Sequence, residues 1–384
     1  MRVLVLNPGS SSLKAAILEP PGRTPLASAE VERGADASRL GDAAAAVARA
    51  LEALSAAGIS RADVHVVGYR VVHGGVEFGD PVVIDDRIVA AIDELAALAP
   101  LHNPVAAATI RAGREALPAA VHVATFDTAF HAGLPEDAIR YALPSDWPDW
   151  GIRRYGFHGL SVQWATLRAA ELLERPSAAV GLVVAHLGSG CSVTAVDGGR
   201  SVDTSMGMTP LEGLVMGTRA GSIDPGILLS LLGDGRRTVN QLADDLDHRS
   251  GLLGLSGRSA DVRELLAAEG EGDEAARLAL AVFVRRAAAG IAAAATALAR
   301  LDGIAFTGGI GEHSGEIRRR ILARLEPLGV LRDVAAGAGR TDASTSGDWV
   351  IAGRTGPAVL GIAAREDLVI AEAAARLARM NVGR

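Results

Sequence analysis

Short apolar runs separated by glycine- and serine-rich turns are the first regular pattern along the chain. Residues 3–6 are apolar, residues 7–14 form a polar stretch, and residues 15–18 are apolar again. Short apolar runs bounded by turn residues are typical of buried β-strands. The N-terminal segment is therefore predicted to be a strand, a tight turn and a returning strand.

A second copy of this pattern lies near the middle of the chain. An apolar run at 182–185 leads through the Gly/Ser stretch 186–192 into another apolar run at 193–196. The Asp-Gly-Gly-Arg sequence at 197–200 then predicts a hairpin turn. Two copies of the same unit, one in each half, indicate an internal duplication with a ligand held between the halves.

A third glycine-rich element follows the apolar run 304–306. It reads Thr-Gly-Gly-Ile-Gly-Glu at 307–312, and residues 316–325 are predicted to be helical. Glycines between a strand and a helix let a ligand approach backbone N–H groups closely, and the helix dipole favours an anion there. Three Gly/Ser elements that each follow a strand favour a site for nucleotide phosphates.

The helices are predicted from alanine-rich or amphipathic segments, because alanine loses little entropy in a helix. They include residues 43–50, 287–299 and 366–379. The length of 384 residues exceeds the size at which single cores usually stop growing, so we expect two domains.

Charge and targeting signals exclude several classes of protein. The net charge is -7 and no basic run is present, so we expect no nucleic-acid partner. We also expect no membrane association, because no signal peptide and no charge-free apolar run of about 20 residues is seen. Cys191 is the only cysteine and is interpreted as a small buried hydrophobe. A cytoplasmic protein is predicted.

Lysine usage is the one compositional oddity. Lys14 is the only lysine among 38 basic residues, and it lies beside the first Gly/Ser turn. A compact ammonium group binds phosphate differently from a planar guanidinium, so a lysine at this turn favours a phosphate-binding role. The alternative is that the position of this single lysine has no functional significance.

Two arginines and a histidine stand in apolar or glycine-rich settings. Arg70 follows the apolar run 64–69, Arg219 is flanked by small residues, and His158 lies between Phe157 and Gly159. Phosphoryl transfer needs cations and donors around the moving group and no covalent nucleophile. The alternatives are structural ion pairs for the arginines and a packed histidine.

Two carboxylates are candidates for a magnesium site, since Mg²⁺ prefers oxygen ligands. Asp127 follows the predicted strand 121–126, and Glu366 begins the final helix. An N-cap role for Asp127 and a favourable helix dipole at Glu366 are the alternatives.

These motifs together resemble the acetate kinase family over nearly the whole chain. The first phosphate turn, the Arg-Val-Val-His-Gly-Gly segment and the later Gly/Ser loops occur in the family's order. The matching segments are residues 6–14, 70–75, 126–131, 155–159, 186–188, 203–207, 209–213, 216–219 and 306–312.

This resemblance implies an α/β fold of two ribonuclease H-like domains with an interdomain cleft, as in sugar kinases, Hsp70 and actin. The first domain would comprise residues 1–131 plus 368–384, and the second, nucleotide-binding domain residues 132–367. The resemblance also implies a homodimer that transfers a phosphoryl group between ATP and a short carboxylate.

The resemblance further implies roles for individual residues. Arg70 and Arg219 would clamp the carboxylate and the transferring phosphoryl group, and His158 would donate to the same transition state. The groups that would arrange the acceptor and Mg²⁺, with Mn²⁺ as a substitute, are Asn7, Asp127 and Glu366.

Two further sets would bind the substrates. The nucleotide would contact Ser10, Ser12, Lys14, His186, Gly188, Ser189, Gly190, Asp261, Val262, Arg263, Gly308, Gly309, Ile310 and Gly311. The methyl group of the acid would contact Val72, Leu101, Phe157 and Pro210.

The chain departs from the family beside these positions. Ser189 replaces the usual asparagine, Val162 the usual histidine and Ser222 the usual aspartate. Acetate kinase is therefore the first hypothesis. Propionate or butyrate as the preferred acid, and a nucleotide-binding protein with reduced activity, are the alternatives.

Overall fold

The chain forms two compact units in a computed structural model. The structure describes residues 1–9, 12–32, 40–330, 334, 337, 347–352 and 355–382. Unit 1 comprises Met1–Ala132, Phe157–Leu160 and Arg365–Arg384, and unit 2 comprises Gly133–Gly156 and Ser161–Ala364. The functional domain boundaries given above stay a prediction.

A mixed sheet forms the centre of unit 1. Its strands in the described residues are β1 (Val3–Pro8), β2 (Ser12–Leu18), β3 (Ala27–Glu32), β4 (Val66–Val71), β5 (Val82–Val83) and β6 (Val121–Phe126). They lie in the order β3-β2-β1-β4-β6-β5. β1, β4 and β6 run parallel, whereas β2, β3 and β5 are antiparallel to their neighbours.

A second sheet with the same arrangement forms the centre of unit 2. Its described strands are β7 (Gly181–Leu187), β8 (Cys191–Asp197), β9 (Arg200–Thr204), β10 (Gly303–Thr307), β11 (Trp349–Ile351) and β12 (Ala358–Gly361). Their order is β11-β12-β10-β7-β8-β9, with β7, β10 and β12 parallel. The order and directions repeat those of unit 1. The predicted duplication and the fold of two ribonuclease H-like domains are thereby confirmed.

Helices cover both sheets. They are α1 (Leu40–Ala56), α2 (Asp86–Glu94), α3 (Asn103–Ala116), α4 (Glu136–Ile139), α5 (Gly159–Leu172), α6 (Pro225–Gly233), α7 (Val239–His248), α8 (Gly251–Ser256), α9 (Val262–Gly270), α10 (Glu274–Ala295), α11 (Gly308–His313), α12 (Gly315–Leu322) and α13 (Glu366–Val382).

In unit 1, α13 packs directly on the parallel strands β1, β4 and β6. Gly68 in β4 permits this close approach, since a Cβ there would lie 2.6 Å from Cγ2 of Ile370. α1 and α3 pack together and share a buried apolar core with alternate residues of the sheet, such as Leu4 and Leu6. The sheet is thus covered by helices, and the start of α13 is fixed relative to the strands.

The helix α10 is the one described helix that is long and apolar enough, by length and composition alone, to cross a membrane. Core helices satisfy the same test, and α10 packs on β7, β8, α8, α9 and α12. It also carries Arg277, Arg285 and Arg286. We therefore describe it as a core helix of unit 2.

The structure changes the bounds of several predicted elements. β2 begins at Ser12, so Ser12 and Lys14 lie in a strand and not in the preceding turn. The glycine-rich segment after β10 is itself the helix α11, which begins at Gly308. α10 ends at Ala295, before the end of its alanine-rich segment. The alternation of apolar residues and the glycine content did not predict these boundaries, because strand pairing and local packing determine them.

Candidate active site

The candidate site residues of unit 1 lie at one edge of its sheet. Asn7 is near the end of β1, Arg70 is near the end of β4, and Asp127 directly follows β6. Parallel strands present their carboxyl ends at the same edge, which is where open α/β sheets bind ligands. Glu366, the first residue of α13, completes the group.

These four side chains form one hydrogen-bonded cluster. Arg70 makes a bidentate contact with Asp127, with Nε 2.9 Å from Oδ1 and Nη2 2.5 Å from Oδ2. Nη1 of Arg70 donates to Oδ1 of Asn7 at 3.2 Å, and Nδ2 of Asn7 donates to Oε2 of Glu366 at 3.0 Å. Nε of Arg70 is also 3.7 Å from Oε2 of Glu366. The structure therefore brings together all four residues.

The cluster carries one cation and two carboxylates. Burial alone would lower the pKa of Arg70, but the charges of Asp127 and Glu366 outweigh it and raise that pKa above its usual value. The Arg70 guanidinium is therefore charged. Burial raises the pKa of Asp127, whereas the charge and the hydrogen bonds of Arg70 lower it and favour the ionised carboxylate. Thr128, not Asp127, occupies the N-cap position of the short helical turn that follows, and its side chain makes no capping hydrogen bond, so the N-cap alternative for Asp127 is wrong.

Oxygen donors for a divalent cation are present in this cluster. Asn7 supplies an amide oxygen, and Asp127 and Glu366 supply carboxylate oxygens. Among the described residues no group of three or more His, Cys, Asp or Glu side chains could hold a metal ion. A pair of carboxylates with room for water and phosphate oxygens suits Mg²⁺, which is seldom bound by an all-protein cage.

The segment that carries His158 is attached to the same strand edge. The N–H of Gly159 donates to the carbonyl oxygen of Asp127 at 2.8 Å. Nε2 of His131 lies 3.0 Å from the carbonyl oxygen of Phe157, so this nitrogen carries the proton and donates. Burial lowers the pKa of His131 to about 4, which keeps the ring neutral. His158 itself has a φ of 60° and is thus held by a left-handed turn.

In unit 2, the two glycine-rich segments pack against each other at the ends of β7 and β10. Gly308 has a φ of 77°, and a Cβ there would lie 2.7 Å from the carbonyl oxygen of Leu187 and 3.1 Å from Nε2 of His186. Nδ1 of His186 is 2.8 Å from Oγ of Ser161. The Gly/Ser segment 186–192 after β7 also forms a tight turn, since Gly188 N–H donates to Gly190 O at 3.0 Å. Glycines of both segments, Gly188 and Gly308, therefore lie close to Nε2 of the His186 ring.

Arg219 differs from Arg70 in its partners. Nη1 of Arg219 donates to the carbonyl oxygen of Pro210 at 2.8 Å, and the side chain is half-buried. Within the described residues Arg219 makes no ion pair, and burial lowers its pKa. A half-buried guanidinium that contacts a neutral carbonyl can still receive an anion.

The remaining predicted residues occupy different environments. Val72 and Phe157 are buried, whereas Leu101 is 55% exposed. Ser12 donates to Glu30, Lys14 is exposed in β2, and Ser10 lies outside the described residues.

The predicted adenosine residues at 261–263 form the start of α9. Asp261 caps this helix and pairs with Arg263, whose side chain is largely exposed, while Val262 is buried.

Sequence reasoning did not identify Ser161, Tyr141, Arg154 or Glu212 as parts of the site. Ser161 contacts His186, and Tyr141 and Arg154 both bind Glu212, which lies in the segment 204–213 that carries Pro210. Glu212 lies in one of the matching segments quoted above, so its charge between Leu211 and Gly213 was the available signal. The partners lie too far away in sequence to be recognised by spacing.

Comparisons with known proteins show what this chain is similar to. A model of the acetokinase family matches residues 2–372. Acetate kinase from Deinococcus radiodurans is 46% identical over 395 residues, with 97% of this chain and 96% of the relative covered. The acetate kinase structure from Porphyromonas gingivalis has a TM-score of 0.87 at 32% identity, covering 98% of this chain and 99% of the other. A propionate kinase structure from Francisella tularensis has a TM-score of 0.86 at 34% identity, with the same coverages.

Proposed function

The chain belongs to the acetokinase family, and from this premise we propose that it transfers the γ-phosphoryl group of ATP reversibly to acetate. The products are acetyl phosphate and ADP. An acetate oxygen forms the new bond to phosphorus as the bond to the β–γ bridging oxygen breaks. A carboxylate is already an anionic nucleophile, so the step needs no general base. The protein must instead position the reactants and offset the repulsion between two anions.

The state of Arg219 carries this proposal. Its guanidinium is half-buried, donates to the Pro210 carbonyl and makes no ion pair among the described residues. A cation that no carboxylate of the described residues contacts directly is suited to the charge on the transferring phosphoryl group. Pro210 would at the same time line the pocket for the methyl group, together with Val72, Leu101 and Phe157.

Arg70 has a complementary role in the proposal. Its guanidinium is held by Asp127 and faces Glu366 and Asn7, which fixes its orientation before any ligand binds. A preorganised guanidinium can donate to a carboxylate or phosphoryl oxygen without the free-energy cost of reorienting during the reaction. His158, on the segment attached to Asp127, would donate a hydrogen bond to the same transition state.

Asn7, Asp127 and Glu366 would hold Mg²⁺, or Mn²⁺ in its place, in this proposal. Their oxygens match the ligand preference of both ions. The bound cation would offset charge on the phosphate oxygens and orient them. Family membership implies the use of ATP and a divalent metal, and the choice of Mg²⁺ rests on the donor set described above.

Unit 2 supplies most of the proposed nucleotide contacts. The backbone around Gly188, Ser189 and Gly190 and the segment 308–311 would bind phosphates, beside His186. Asp261, Val262 and Arg263 would flank adenosine, with Ser10, Ser12 and Lys14 at the first phosphate turn. The second functional domain would then be residues 132–367, and the first residues 1–131 plus 368–384.

The proposed assembly is a homodimer in the cytoplasm, where ATP is available. An apolar surface on unit 2 supports the dimer. The helix α6 has no buried residue, and Ile227 and Leu229 are 50% and 71% exposed. Neighbouring apolar residues in an exposed helix are typical of a protein interface. A second copy of the chain is the proposed occupant of this surface.

Propionate is the second candidate acid, since one of the similar structures is a propionate kinase. An additional methylene changes binding in an apolar pocket by only about 1–3 kcal/mol, so the two acids are expected to compete.

The test is an assay of acyl phosphate as its hydroxamate, with ATP and Mg²⁺ and with acetate, propionate and butyrate in parallel. We expect product with acetate, and Arg219→Ala should lower turnover roughly 10²–10³-fold. Arg277→Ala is the matched control, because Arg277 is an exposed arginine paired with Glu274 on α10. No product with any acid, together with clear ATP binding, would favour a nucleotide-binding protein of reduced activity.

A further inference from the structure

Two side chains of unit 2, Arg154 and Tyr141, bind the segment 204–213, which we call the Pro210 loop, and Glu212 within the segment binds both of them. Nη1 of Arg154 donates to the carbonyl oxygens of Thr204, Ser205 and Met206 at 3.1, 3.3 and 3.0 Å. One guanidinium nitrogen thus binds three consecutive carbonyl groups at the start of the loop. Such a contact fixes the course of the backbone as it leaves β9.

The other end of the loop is bound through Glu212. Nη2 of Arg154 donates to Oε1 of Glu212 at 3.1 Å, and the hydroxyl of Tyr141 donates to Oε2. The guanidinium of Arg154 also lies 5.3 Å from the centre of the Tyr141 ring. Charge-assisted hydrogen bonds of this kind are stronger and more directional than neutral ones. The start and the end of the loop are therefore joined through a single side chain.

Tyr141 additionally binds the middle of the loop. Its oxygen accepts a hydrogen bond from the N–H of Met208 at 2.9 Å. Only glycine fits at position 207, since a Cβ there would overlap the Tyr141 hydroxyl and the Glu212 carboxylate. The carbonyl oxygen of Gly207 accepts from Tyr155 N at 3.1 Å. The loop is consequently held at residues 204–208 and at Glu212, on both sides of Pro210.

The position of Arg219 depends on this loop. Its Nη1 donates to the carbonyl oxygen of Pro210 at 2.8 Å, and Pro210 stands between Met208 and Glu212. We propose that Tyr141, Arg154 and Glu212 are positioning residues, which hold the Pro210 carbonyl so that it orients the Arg219 guanidinium. They also fix the apolar ring of Pro210 and thereby the length of acid accepted. This inference rests on the proposed carboxylate kinase reaction.

The hydroxyl of Tyr141 and the charge of Glu212 can be removed with little change in shape. In Tyr141→Phe, kcat/KM for acetate should fall about 10- to 100-fold, because one hydrogen bond to a carboxylate and one to the loop backbone are lost. The ratio of kcat/KM for propionate to that for acetate should rise at least about 3-fold, since the Pro210 ring becomes mobile. Glu212→Gln, which keeps an acceptor for Arg154, should give a smaller change in the same direction. The dissociation constant for ATP should stay the same in both variants.

Tyr155→Phe is the matched control. It also removes one tyrosine hydroxyl that donates to a backbone carbonyl, that of Gly151, outside the loop. Circular dichroism and thermal unfolding of all variants identify any that fail to fold, and Glu212→Gln then replaces Tyr141→Phe as the decisive variant.

A double-mutant cycle separates positioning from general stability. If Tyr141 acts through Arg219, adding Tyr141→Phe to Arg219→Ala should lower turnover no further than about 2-fold. An equally large loss in both backgrounds, or an unchanged acid ratio in Tyr141→Phe, would overturn the inference. A wild-type protein that phosphorylates no carboxylate would instead refute the proposed function itself.

Discussion

The backbone N–H of Gly159 donates a hydrogen bond to the backbone carbonyl of Asp127 at 2.8 Å. This bond joins the first residue of α5 to the end of β6, where the Asp127 side chain contacts Arg70. His158 directly precedes Gly159 in the chain, so its backbone is placed relative to the carboxylate by a neighbouring bond. One backbone contact therefore links the segment of His158 to Asp127 and, through its side chain, to Arg70.

The substitution Gly159→Ala should disturb this contact. A Cβ at position 159 would overlap the Asp127 carbonyl and would lie 2.9 Å from Cβ of Phe130. The strand end must shift, and misplacement of catalytic groups by about 1 Å can cost about 10²-fold in rate. We expect turnover to fall about 10- to 100-fold, measured as acyl phosphate formed per second.

Gly133→Ala provides the control for that substitution. Nothing lies within 4 Å of a Cβ built at Gly133, so its turnover should match that of the wild type. Equal activity in Gly159→Ala would show that the two segments need not be joined in this way.

Arg70→Lys should separate charge from geometry. Lysine retains the positive charge beside Asp127 but cannot make both the bidentate contact and the hydrogen bond to Asn7. We therefore expect a protein that still folds, with kcat lowered about 10²-fold, the effect of losing one preorganised donor.

The control is Arg114→Lys, since Arg114 pairs with the exposed Asp86 at 2.7 Å. Its kcat should be unchanged. A kcat for Arg70→Lys within 2-fold or so of the wild type would remove Arg70 from the proposed mechanism.

The positions of the candidate residues along the chain were predictable, but their partners were not. Strand patterning placed Asp127 and Arg70 at strand ends, and this is where they lie. The bond between Asn7 and Glu366 joins residues 359 positions apart, and no local pattern encodes such a pair. It forms because α13 returns to the first sheet, which only the complete topology shows.

The Pro210 loop illustrates the same limit. Arg154 and Tyr141 bind three carbonyl groups and an N–H of the backbone, which have no residue-specific signal in the sequence. Similarly, the exposure of Lys14 follows from its place in the strand β2, and the unusual lysine composition gave no indication of it.

His131 should make stability depend on pH. Its ordinary pKa of 6.5 is lowered by burial to about 4 in the folded state. Between these values the unfolded chain binds a proton that the folded chain excludes, so the free energy of unfolding falls as the pH falls. The full effect is about 3 kcal/mol for a shift of this size. It should be measured by urea unfolding across this pH range.

His131→Gln should lose that part of the pH dependence, because glutamine does not titrate and can still donate to the Phe157 carbonyl. His248→Gln is the control, since His248 is exposed at the end of α7. A pH dependence that is the same in His131→Gln and the wild type would assign the effect to other groups.

Leu229→Asp should dissociate the proposed dimer. The substitution puts a charge in the middle of the apolar surface of α6, where burial against a second copy would desolvate it. Size-exclusion chromatography with light scattering should show a monomer. Leu278→Asp is the control, because Leu278 is 54% exposed on α10. A wild-type monomer, or a dimer that survives Leu229→Asp, would refute this interface.

The division of the chain into units has a consequence for synthesis on the ribosome. Unit 2 is encoded by a nearly continuous internal stretch, whereas unit 1 combines the first 132 residues with a segment that starts at Arg365. Domains generally fold as units, in the order in which they emerge. The nascent chain can therefore complete unit 2 while the sheet of unit 1 still lacks α13. Glu366 joins Asn7 and Arg70 only after that helix emerges, so this cluster forms later than the core of unit 2.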